Sequence, residues 1–185
     1  LQVILSDDAS TDRTFEVMTE AARECPADID LVLNRNQTNT GIAEHIGKLI
    51  GLAEGKYVVL SAADDVSLPE RTGISVDVYL TGSSVTVDKW LYAGFPPLLP
   101  DVVNEDKVTA FRCAFRGGAV YVEQPLVRYR ANVGVSTLNG ALMHGRDDPA
   151  REARYIRTGL ARRRSVLAQM QLDCREGPIA GQVGP

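Results

Sequence analysis

Two clusters of aspartates carry the residue types most able to do chemistry: Asp7-Asp8, continuing through Ala9-Ser10-Thr11 to Asp12, and Asp64-Asp65. Grouped carboxylates suit a hard divalent cation, Mg²⁺ or Mn²⁺, that also binds the oxygens of a phosphorylated substrate. Metal-assisted transfer from a nucleotide is therefore the first chemistry to consider. Each cluster closes a short apolar run, Leu1-Gln2-Val3-Ile4-Leu5 and Tyr57-Val58-Val59-Leu60. Such runs are too brief for a helix and read as buried parallel strands. In an open α/β sheet ligands bind outside the carboxyl ends of strands, which is where these aspartates fall.

The elements that must position them follow from hydrophobic spacing. Ser10-Thr11-Asp12 offers N-cap residues for a helix over 14–23, with Phe15, Met18, Ala21 and Ala22 on one face. A second strand is expected over 29–33 and a polar loop over 34–40. A helix then spans 41–53 through Ile42, Ile46, Leu49 and Ile50, and Gly55 stops it. A third strand covers 56–60, and Pro69 marks where a further helix can begin. Strands alternating with helices imply a parallel sheet. The stretch from Arg71 through the Pro-rich bend at 95–100 reads as loop and edge strand. Beyond it come a helix over 105–115, a strand at 120–122, an extended piece at 126–130 and a long C-terminal helix from Asp148 to Gly177-Pro178.

Composition narrows the function classes. The chain has 185 residues, enough for one good core with an appendage. Its net charge of −4 gives no general electrostatic reason to expect nucleic acid. Cys25, Cys113 and Cys174 are odd in number and widely spaced, against both a disulfide framework and a structural zinc site. His45 and His144 are too far apart in sequence to suggest a histidine metal centre or a triad. With no apolar run of membrane-spanning length and no signal peptide, a cytoplasmic protein is expected, with contact at the inner membrane face as a further option. The run Arg162-Arg163-Arg164 reads first as a solvated helix face, and a basic helix also fits an anionic membrane surface or a lipid diphosphate. Leu1 falls inside a strand and is not preceded by an initiator Met, as expected of a fragment.

Six ordered blocks carry a family resemblance: Ser6 to Asp12, Asn39-Thr40-Gly41, Ala53 to Val58, Asp64 to Pro69, Asn104-Glu105-Asp106, and Pro125 to Arg130. In this order they resemble the inverting family-2 glycosyltransferases. The resemblance implies a GT-A fold, an α/β sandwich with a mostly parallel central sheet, here lacking the family's first strand. Residues 1–147 would form the incomplete GT-A domain and 148–185 a helical extension and tail. It further implies that Asp7 reads the base of a nucleotide sugar, most often UDP, with Asp8, Asn39 and Arg130 also on the nucleotide. Asp64, with Asp65 beside it, would hold Mg²⁺ or Mn²⁺ against the diphosphate, and Asp106 would take the proton from a hydroxyl of a saccharide or lipid-linked acceptor. Polysaccharide synthesis for the cell envelope is the setting this implies.

Plainer structural roles stand beside these. Asp8 and Asp12 fit turn or cap positions, Asp65 the N-cap of the Pro69 helix, and Glu105 and Asp106 the acidic first turn of a helix. Ala62 and Asn132 stand where the family commonly has an aspartate and a histidine, and the segment after Arg71 is short. A nucleotidyltransferase using the same strand ends and a degenerate, non-catalytic sugar- or nucleotide-binding domain are the alternatives.

Overall fold

The computed structural model describes residues 1–62, 66–67, 85–115, 117–118, 127–128, 149–178 and 180. Strand β1 (Gln2–Asp7) pairs in parallel with β2 (Asp30–Arg35), Gln2 opposite Asp30 and Asp7 opposite Arg35. Both strands run two residues further than the sequence suggests. Their last rung sets a carboxylate against a guanidinium, which favours pairing where hydrophobicity has ended. Helix α1 (Thr14–Ala22) supplies the crossover that a parallel pair requires. Its N-cap position is Arg13, with no capping side chain; Asp12 instead accepts the Thr14 N–H at 3.0 Å. Arg35 lies 4.9 Å above the Phe15 ring, which ties α1 to β2.

Helix α2 (Ile42–Leu52) buries Ala43, Ile46 and Ile50 along one stripe. It is tied to β1 at both ends, for Asp8 binds its head and the Gln2 side chain accepts the Glu54 N–H at 3.0 Å just past its tail. Strand β3 (Tyr57–Val59) pairs antiparallel with β5 (Thr86–Asp88), and β4 (Val66–Ser67) antiparallel with β6 (Val127–Arg128). Among the described residues the protein is thus mixed α/β with one parallel pair. The parallel order expected from strand–helix alternation holds over β1–α1–β2, where the crossover helix is present. The expected Pro69 helix and the strand at 120–122 lie outside the described residues.

A single-turn helix α3 (Trp90–Ala93) stands where the sequence suggested loop and edge strand. Asp88 starts it by accepting the Trp90 N–H at 2.9 Å, and Trp90 packs edge-on to Phe95 with centroids 5.3 Å apart. Helices α4 (Glu105–Ala114) and α5 (Pro149–Glu176) follow. One apolar cluster joins Ile46 and Ile50 of α2, Val85 and Val87 around β5, Leu91 and Tyr92 of α3, and Cys113 of α4. A second joins Ala43 of α2, Val102, Val108 of α4 and Val166 of α5.

Polar contacts fasten α5 to this body. Arg112 is 1% exposed and forks onto Asp173, itself 0% exposed, through Nε–Oδ2 at 2.7 Å and Nη2–Oδ1 at 2.9 Å. Its remaining donors reach the Leu91 and Pro96 carbonyls, and its plane lies 4.8 Å from the Phe95 ring. Gln169, also buried, donates to Asp173 and accepts the Leu99 N–H at 2.7 Å. Gly177 ends α5 against Phe95; a Cβ there would stand 2.4 Å from the Asp173 carbonyl oxygen, so no larger residue fits without movement.

Candidate functional site

Asp7, Asp8 and Asn39 come together at the carboxyl end of β1, facing the head of α2. The Asp7 carboxylate is buried. It accepts the Ser10 N–H at 3.1 Å and pairs with Arg35 Nε at 3.2 Å, so its acceptors close the acidic turn and the last rung of the sheet. Ala9, at φ 61°, makes the tight bend between them. Asp8 points the other way. Its oxygens accept Asn36 Nδ2 at 2.6 Å, the Thr40 N–H at 3.0 Å and the Gly41 N–H at 2.9 Å. Gly41 also donates to Asn39 Oδ1 at 3.1 Å. Gly41 has φ 80° and ψ 164°, a backbone region essentially confined to glycine, and this turns the two N–H groups of 40 and 41 toward one carboxylate.

Burial alone would raise the Asp8 carboxyl. The bonds from Asn36, Thr40 and Gly41 and the nearby His45 outweigh that and hold it below the ordinary aspartate value. His45 Nδ1 sits 3.0 Å from Asn36 Nδ2 and 3.5 Å from Asp8. Its place on this face, one turn into α2, is a role the sequence did not single out. Arg35 and Asn36 were not singled out either, and Thr40 only as part of a family block; the parallel register, which sets Arg35 opposite Asp7, is the signal that would have found the first.

Asp106 lies in the first turn of α4, half-buried, with Oδ1 accepting the Lys107 N–H at 2.9 Å. It lines a small hollow with Leu60, Val85, Tyr92, Glu105 and Thr109. Leu60 precedes Asp64 by four residues in sequence. Burial pushes the Glu105 carboxyl up, and the charge of Asp106 adds to the shift. Two adjacent carboxyls thus differ in environment, one buried and one reaching water, the division that lets neighbouring acids take different roles. The Tyr92 hydroxyl, 2.8 Å from Thr109 Oγ1, is pushed up to about 12 by burial.

Ala43, the second residue of α2, and Val108, in the first turn of α4, belong to the same buried cluster. The Asp8 turn stands at the start of α2 and Asp106 in the first turn of α4. Asp64, Asp65 and Arg130 lie outside the described residues. Among the described residues no group of three or more His, Cys, Asp or Glu side chains is arranged to hold a metal ion.

The model of glycosyl transferase family 2 matches residues 1–97 of this chain. The chain belongs to glycosyl transferase family 2. Among curated proteins it is similar to the "Putative glycosyltransferase EpsE" of Bacillus subtilis (strain 168), 34% identical over 70 residues, which cover 38% of this chain and 24% of that relative. The chain thus spans about a quarter of the length of that relative. No solved structure gives a significant match. Within the family 2 match lie Asp7, Asp8, Asn39, Asp64 and Asp65, whereas Asp106 and Arg130 lie beyond it.

Proposed function

We propose that this chain forms the donor-binding part of an inverting glycosyltransferase that moves a sugar from a nucleoside-diphosphate sugar, with UDP the expected carrier, to a hydroxyl of a saccharide or lipid-linked acceptor. The observation that carries the reading is the family 2 match across both acidic strand ends. Asp7, Asp8 and Asn39 would frame the nucleoside end, and Arg130 would offer its forked donors to the diphosphate. Asp106 is the base on this reading. Partly exposed on its hollow, it can accept the proton of an acceptor hydroxyl as the oxygen attacks the anomeric carbon from the face opposite the departing nucleotide, which inverts the configuration. Glu105 beside it is buried, and burial pushes its carboxyl up, so Asp106 is the carboxylate of the two that reaches the hollow's open side.

Mg²⁺ or Mn²⁺ held by Asp64 and Asp65 would neutralise charge developing on the leaving diphosphate. That assignment rests on the sequence, since neither aspartate is among the described residues. The test is a transfer assay with the full-length protein, a panel of nucleotide sugars and hydroxyl acceptors, and Mn²⁺ present. Asp106→Asn should cut transfer by roughly 10²- to 10⁴-fold, the contribution of a general base, while nucleoside diphosphate still raises the melting temperature. Unchanged turnover in Asp106→Asn removes it as base. Failure of every nucleoside diphosphate to stabilise the wild-type protein, with or without Mn²⁺, sinks the class.

A further inference from the structure

The N-terminal half of α5 has no buried side chain among its described residues from 150 to 164. It nonetheless displays large apolar groups. Ile156 is 51% exposed, Leu160 46% and, further along, Leu167 55%. Steps of four and seven residues align these three on one stripe of the helix. That stripe is on the far side from Ser165, Gln169 and Asp173, which dock α5 onto the body. Exposed Arg157, Arg163 and Arg164 flank it, and among the described residues no carboxylate pairs with them. Residues 150–164 contain six arginines and one glutamate, net +5, in a chain whose total is −4. The asymmetry is local.

An apolar stripe bordered by arginines, on a helix anchored by its other face, is suited to lie in the headgroup layer of an anionic bilayer. We infer that α5 docks this protein, reversibly and in the membrane plane, onto a bilayer rich in anionic phospholipid. No described helix is long and apolar enough to cross a membrane, so contact is by surface docking for this element. Charge complementarity decides the partner, because a purely hydrophobic partner would leave three arginines at its border unmatched. The inference is independent of sugar transfer. Docked in this way, Leu167 would bring to the bilayer the groove that it forms with Lys107, Arg163, Val166 and Met170 beside the head of α4.

Flotation of the full-length protein with phosphatidylcholine vesicles, and with vesicles of phosphatidylcholine mixed with phosphatidylglycerol, tests it. Binding should appear with the mixed vesicles and fall as salt is raised. Each arginine near such a surface strengthens partition roughly fivefold, so the triple substitution R157Q/R163Q/R164Q should weaken it roughly a hundredfold. The pair I156S/L160S, whose side chains are already about half-buried, should weaken it roughly threefold to tenfold per residue. Circular dichroism melts of both variants should match the wild type, which separates lost docking from lost folding. Equal binding to neutral vesicles, no vesicle binding at all, or full binding by both variants overturns the inference. So does a lipid-independent dimer that I156S/L160S dissolves, since the stripe would then be covered by a second copy of this chain.

Discussion

Removing the Asp173 carboxylate should be among the most destabilising single changes in this protein. Asp173→Ala strips two bonds from a guanidinium that is 1% exposed and leaves the Leu91 and Pro96 carbonyls as its main partners. It also takes the nearer of two acceptors from Gln169 Nε2, at 2.9 Å, leaving the Pro97 carbonyl at 3.3 Å. Breaking one side of a buried ion pair costs about 3–5 kcal/mol, since the remaining charge is neither solvated nor matched. Domain stabilities are about 5–15 kcal/mol, so about a fifth or more of the total is at stake. Urea unfolding followed by circular dichroism gives the number. With a slope of about 2 kcal/mol/M, a loss of about 4 kcal/mol moves the midpoint down by about 2 M. Arg112→Ala should be similarly damaging, with packing on Phe95 lost as well. The double substitution R112M/D173L should recover most of the loss, because two apolar side chains of similar bulk need no matching charge. Single losses under about 1 kcal/mol, or a double variant no better than either single one, would refute the claim that desolvated charge sets the cost.

Four further outcomes are expected. Asp8→Ala should cost about 2 kcal/mol, the upper end for an N-cap, because one carboxylate serves Asn36, Thr40 and Gly41 together; a thermal melt unchanged from wild type would count against it. The folded Asp8 carboxyl titrates below its ordinary value, so its contribution is present above the unfolded pKa and is lost as pH falls through the folded one. The stability gap between wild type and Asp8→Asn should therefore close on acidification below about pH 4. Gly41→Ala meets nothing within 4 Å, so its cost is conformational, about 1–3 kcal/mol from denaturant midpoints, and a neutral result would mean that the φ of 80° is not held in solution. Glu105 has the opposite sign to Asp8: its raised carboxyl favours folding most at low pH, and that contribution fades as pH rises from about 4 through the raised folded value. Melts of wild type and Glu105→Gln across that range should diverge upward, with Gln the more stable at neutral pH.

The parts of the fold legible in the sequence were those with local signals. Alternation of strand and helix up to residue 60 came from apolar runs and turn residues, and the long C-terminal helix from its Arg-, Ala- and Leu-rich composition and the Gly177-Pro178 stop. Asp7 and Asp8 were placed by the apolar run that they close, whereas Asn39 was reached only through the family blocks. What remained hidden depends on residues far apart in the chain. Arg35 matters because the parallel register sets it opposite Asp7, and the register is a tertiary outcome. Arg112 and Asp173 are 61 residues apart and each, read alone, is an ordinary helical surface residue. The one-turn helix at Trp90 is too short for any periodicity to show, and it begins on a single Asp88 side-chain bond. Glu105 looked like a first-turn acid placed to complement a helix dipole; its burial, on a hollow shared with Tyr92 and Leu60, is a tertiary outcome.

The ties at both ends of α2 make strand and helix a matched pair of lengths. Six residues of β1 extend about 20 Å and eleven of α2 about 16 Å, and the two elements run back against each other between Asp8 at one end and Gln2 at the other. A residue added to either element would carry one fastening out of reach of its partner. Insertions in this half of the molecule should then be rejected inside the strut and in the bonded acidic turn at 9–12 and tolerated in the turn at 23–29, so that a tag or reporter meant to leave the acidic end undisturbed belongs there.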